Sequence, residues 1–183
     1  MQLLIAFSPF LAFLVGQHLL GIVPALCAGA VVAGALVVRG RVRGAREVNA
    51  LELGTALLFA GLALAATFFT DVTWSVGLVR LVVDIGLLLL VLVGIVVGRP
   101  FTLALARERV TPEVAASPRF LHRMRLIAAA WAGAFAVLAV ADVVLMLRPA
   151  WPLAVPLAIS ALGLVGAFKA TRTLSQPPRR LAE

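Results

Sequence analysis

Apolar stretches of close to twenty residues recur along this chain. Wound as a helix, a stretch of that length matches the ~30 Å hydrocarbon thickness of a bilayer. With 63% of its 183 residues hydrophobic and only 13% charged, the chain lacks the polar residues needed to cover a soluble core. The expected fold is therefore all-α: a polytopic membrane helix bundle of about five transmembrane helices, preceded by a short N-terminal helix. Residues 1–174 read as one transmembrane domain and residues 175–183, with Pro177 and Pro178, as a disordered cytoplasmic tail.

The spans follow from the breaks between the stretches. Residues 3–19 contain Ser8-Pro9 and end at Gln17-His18, which predicts a short kinked or re-entrant helix, with a full crossing as the alternative. Spans are then expected at about 22–38, 50–69, 76–97, 126–147 and 151–168, with Pro156 kinking the last. Asp71-Val72-Thr73-Trp74 and Arg148-Pro149-Ala150-Trp151-Pro152 read as short turns, their tryptophans at the membrane boundary. The longest loop, 98–125, contains two capped helix starts, Thr111-Pro112-Glu113 and Ser117-Pro118. The second start is expected to open the fourth span ahead of the bilayer. Residues 101–109 suggest a further short helix lying at the membrane surface, with Phe101 and Leu105 on one side.

The net charge of +8 would suggest nucleic acid in a soluble protein, but its distribution gives a better account. Fourteen of the sixteen Arg and Lys residues fall in three clusters, at 39–46, 99–125 and 169–180, which follow the first, third and fifth spans. Five crossings put all three on one side, and the positive-inside rule makes that side the cytoplasm. The expected location is a bacterial cytoplasmic membrane, with a cytoplasmic C-terminus and no nucleic-acid partner. The N-terminus lacks the basic start of a secretory signal, so cleavage is not expected. Cys27, the single cysteine, reads as a small packing residue.

Phe7-Ser8-Pro9-Phe10, Arg99-Pro100-Phe101 closing the third span, the Ala-rich region around Trp131 and the late polar Asp142 together give a layout that resembles the intracellular septation protein A family of bacterial inner-membrane proteins. The resemblance covers nearly the whole chain in layout. It implies a role in cell-envelope maintenance, septation and elongation through contacts with envelope and division membrane proteins. It implies no catalytic residues. Arg80, Asp84 and Asp142 depart from it by placing more charge in the membrane than the family pattern holds.

Those charges are the sharpest chemical signal, because a charge at the bilayer centre costs ~2.5–3.5 kcal/mol on insertion scales and turns toward a partner inside the bundle. Arg80 and Asp84 are four apart and share a helix face. Depth along the spans suggests that Asp142 joins them in the outer half of the bundle, with His18 near its mouth. An Arg–Asp pair that ties helices together is one reading, and a ligand or ion pocket is the other. Arg99, Arg107, Arg109, Arg119, Arg123 and Arg125 are candidates for anionic lipid head groups, or are simple markers of topology. Gly94 and Gly98, four apart, suggest close helix packing within the chain or with a second copy.

His18 and His122 fall on opposite membrane faces, so no metal site is expected. No phosphate-binding loop, nucleophile elbow or dinucleotide fingerprint is present, and no cofactor is expected. Ser160 reads as a packing hydroxyl. Three functions follow in order: a non-enzymatic envelope protein, a small transporter or proton-coupled channel, and a membrane-embedded enzyme acting on a lipid or isoprenoid.

Overall fold

The structure, a computed structural model, describes residues 5, 7–42, 50–69, 74–107, 110–148, 152 and 154–175. Among these all regular structure is helical, with no strand. The helices are α1 (Ser8–Leu19), α2 (Ile22–Val42), α3 (Ala50–Phe68), α4 (Val76–Val96), α5 (Phe101–Arg107), α6 (Pro112–Ala115), α7 (Pro118–Leu147) and α8 (Ala154–Ser175). Among the described residues, four segments are long and apolar enough to cross a membrane: Ile22–Val42, Leu51–Phe68, Val76–Val96 and Pro118–Leu147. Arg43, Arg46, Glu47, the Asp71–Thr73 turn, Glu108, Arg109, Pro149 to Trp151 and the 176–183 tail lie outside the described residues. The chain forms two compact units, Met1–Leu90 and Val91–Glu183.

In the first unit, α1 is 12 residues long, about 18 Å, well short of a bilayer. Pro9 stands at its start, where a missing N–H is harmless. Gly21, at φ +89°, reverses the chain into α2, and Gly16 lets α1 approach until a Cβ there would stand 3.2 Å from the Ala25 backbone. The short helix carries Phe10 and Phe13 to Phe59 of α3, with ring centroids 5.2 and 5.9 Å away. Phe59 is fully buried and lies across Gly29 of α2. Indole Nε1 of Trp74 donates to the Phe69 carbonyl at 3.1 Å, satisfying a group the end of α3 leaves open. Oγ of Ser75 accepts from Leu78 N–H at 3.1 Å and caps α4. Leu58 packs over Gly86, and Leu90 over Gly54.

In the second unit, α7 and α8 pack side by side, and α5 docks onto α7. Ser117 caps α7 as its sequence predicts, its hydroxyl accepting from Phe120 N–H at 3.3 Å, with Pro118 at the first turn. The 30 residues of α7 rise about 45 Å, roughly 15 Å more than the hydrocarbon needs. The last helix begins at Ala154, so Pro156 falls in its first turn, where no intrahelical N–H bond is owed. The kink expected at Pro156 therefore has no cause. The helix also runs beyond the expected 168, through Lys169 and Arg172, to Ser175.

Candidate functional site

Two basic residues of the second unit, Arg99 and Arg125, lie at the end of α4. Arg99 N–H donates to the Gly94 carbonyl at 2.9 Å and Gly98 N–H to the Ile95 carbonyl at 3.1 Å. With Gly98 at φ +76°, these two bonds form a Schellman helix end. A Cβ on Gly94 would stand 3.3 Å from the Arg99 carbonyl oxygen. The glycine pair expected to pack helices together thus builds a terminus. Immediately beyond it, Pro100, Phe101, Thr102 and Leu103 are buried. Thr102 Oγ1 donates to the Met124 carbonyl at 2.7 Å, fixing α5 to α7. The buried face of α5 therefore turns on Phe101 to Leu103, while Leu105 is only half-buried.

Arg125 of α7 reaches this terminus. Its Nη2 stands 3.7 Å from where a Cβ on Gly98 would lie, an ordinary contact distance, so the guanidinium rests beside the turn while the glycine itself is required by its positive φ. Arg99, Arg107, Arg119 and Arg125 are exposed and Arg123 is half-buried. Among the described residues, no carboxylate lies within 4.0 Å of the guanidinium of Arg99, Arg119, Arg123 or Arg125. Glu113, in the same stretch of sequence, is occupied at its own helix start. A hydrogen bond from its own backbone N–H, and a second involving the Thr111 side chain, hold its carboxyl below the ordinary 4.5, against a slight opposing effect of desolvation.

Within the apolar helices, Arg80 and Asp84 lie one turn apart on α4, the first half-buried and the second 9% exposed. His18 is exposed in the last turn of α1. Asp142 belongs to the other unit, on α7, and is 2% exposed. Its neighbourhood follows from the register of α7 and α8. Trp131 Nε1 donates to Thr171 Oγ1 at 3.0 Å, and Thr171 donates onward to the Ala167 carbonyl. A Cβ on Gly163 would meet Val137 and Leu138 at 3.4–3.6 Å. The two helices are thus antiparallel, and continuing the register brings Ser160 level with Ala141 and Asp142. Ser160 is buried, and its Oγ has no hydrogen-bond partner among the described residues.

The register of α7 and α8 is the feature that sequence reasoning missed. Ser160 is a polar residue in an apolar helix, which was the available signal, but its level relative to Asp142 is not written in either helix alone. Among the described residues, no group of three or more His, Cys, Asp or Glu is placed to hold a metal. Comparison with family models, with curated proteins and with solved structures finds no match for the chain.

Proposed function

We propose that this is a five-crossing bacterial inner-membrane protein with a cytoplasmic C-terminus. In this reading it acts in cell-envelope maintenance or division by contacting other membrane proteins, as the septation protein A family it resembles is understood to do. The crossings would be α2, α3, α4, α7 and α8, with α1 too short to span. The observation that carries the reading is the construction of the α5–α7 face. A helix extending some 15 Å beyond the hydrocarbon bears Arg119, Arg123 and Arg125, and α5 is fastened to it by the Thr102–Met124 hydrogen bond. A fixed, arginine-bearing surface at the membrane is suited to recognition rather than to anchoring alone.

A photo-crosslinker at position 119 or 122 in cells should capture other membrane proteins, and deletion should alter cell shape or envelope robustness. Crosslinks that recover lipid only would count against the reading.

A second reading, a small transporter or proton-coupled channel, is favoured by one observation: the buried carboxyl of Asp142 level with the buried hydroxyl of Ser160. Vesicles holding the protein should then pass protons or a small solute, and Asp142→Asn should abolish the flux. Flux that survives that substitution would remove the reading.

A further inference from the structure

We propose that Arg99 and Arg125 together bind the phosphate of an anionic phospholipid in the leaflet that faces the basic clusters. Two helix lengths, counted separately, arrive at the same depth. The 21 residues of α4 rise about 31 Å, which fills the hydrocarbon layer, so Val96 stands at its edge and Arg99 three residues beyond. Counting about twenty residues back along α7 from Leu147 reaches the opposite edge near Ala128, which again leaves Arg125 three residues outside. The head-group layer on each face is roughly 5–7 Å deep, and both arginines fall within it.

The fold then brings them together. Arg125 Nη2 stands 3.7 Å from where a Cβ on Gly98 would lie, which puts its guanidinium beside that residue, and Arg99 is the next residue. The Schellman bonds at Gly98 and Arg99, and the Thr102 bond to Met124, fix both backbones from which the side chains reach. Both side chains are exposed and, among the described residues, neither has a carboxylate in salt-bridge range. Two planar guanidinium forks of the same charge, carried on neighbouring backbone, could both reach the oxygens of one phosphate. The depth selects a lipid over a soluble source of the same group. This rests on α4 and α7 crossing the bilayer, as in the reading above, and not on the envelope role.

The test uses the full chain in mild detergent, titrated with short-chain phosphatidylglycerol and, separately, phosphatidylcholine, with bound lipid counted by native mass spectrometry. Phosphatidylglycerol should be retained preferentially. Arg99→Gln and Arg125→Gln should each weaken it about fivefold and the double variant about thirtyfold, from a contribution of ~1 kcal/mol per basic residue at the surface. Arg119→Gln, two turns further out, should change it less than about twofold. Equal retention of the two lipids would overturn the proposal. So would a loss with Arg119→Gln as large as with Arg125→Gln, since that is diffuse attraction rather than a site. Displacement of the lipid by inorganic phosphate at comparable concentration would assign the site to a soluble anion and sink the lipid claim. Should Arg125→Gln fail to fold, Arg99→Gln decides alone, and unchanged phosphatidylglycerol binding in it would refute the pair.

Discussion

The ring of Phe59 on α3 occupies the space that a side chain on Gly29 of α2 would need: a Cβ there would stand 2.7 Å from Cδ1 and 2.8 Å from Cε1. Phe59 is fully buried and also meets Phe10 and Phe13 of α1, so it cannot retreat without disturbing all three helices. Gly29→Ala is expected to destabilise the protein by about 1–3 kcal/mol, the usual cost of overpacking. Thermal unfolding in detergent would measure it. Phe59→Leu should recover part of that loss in the double variant, because the two changes share one contact. Strict additivity would show that the ring is not the obstacle.

The hydrogen bond from Trp131 to Thr171 sets the register of α7 against α8 at one end of the pair. Trp131→Phe removes the donor and keeps the aromatic packing against Phe135, whose ring centroid is 5.9 Å away. Interhelical hydrogen bonds in membranes average about 0.6 kcal/mol and reach about 1.7, so a loss in that range is expected. A double-mutant cycle with Thr171→Val should return most of it as coupling. No coupling would mean that the register is held by apolar packing alone.

What was legible in the sequence is what is decided locally. The Ser117-Pro118 start of α7 is a cap that acts over three residues, and the Arg80–Asp84 spacing is one helical turn, so both can be read without knowing a neighbour. The Gly94–Gly98 spacing was ambiguous because packing motifs and helix ends share it, and only the +76° φ of Gly98 separates them. Pro156 was misjudged because the effect of a proline depends on where its helix begins. The contacts of Phe59 with Gly29 and of Trp131 with Thr171, and the common level of Ser160 and Asp142, involve separate helices. Lipid-facing and core-facing residues are equally apolar in such a chain, so the pattern that marks the inner face of a soluble helix is absent.

Glu113 gives a pH prediction at the loop end. Its folded-state pKa lies below 4.5, chiefly through the hydrogen bond to its own backbone N–H and next through the Thr111 side chain. A depressed carboxyl binds fewer protons folded than unfolded, so its contribution is present above the ordinary pKa and is lost as pH falls through the folded value. The protection of the amides of residues 113–115, relative to their intrinsic exchange rates at each pH, should therefore fall selectively below about pH 4.5. Glu113→Gln should abolish the acid dependence there. The same acid-induced loss of protection in the Gln variant would place the titrating group elsewhere.

Ser160 and Asp142 offer the sharpest separation between a structural and a ligand-binding interior. A buried hydroxyl that lacks a partner costs about 1–3 kcal/mol, so if Ser160 serves only packing, Ser160→Ala should leave the thermal midpoint unchanged or raise it. That result should be the same in the Asp142→Asn background, because groups that do not communicate add independently. If the hydroxyl and the carboxyl act on a shared proton or solute, Ser160→Ala should instead lower stability or flux in the wild type and do nothing once Asp142 is Asn. Their common level on antiparallel helices is what makes the two outcomes worth separating. Additive behaviour of the two substitutions would assign Ser160 to packing and leave Asp142 without it as a functional partner.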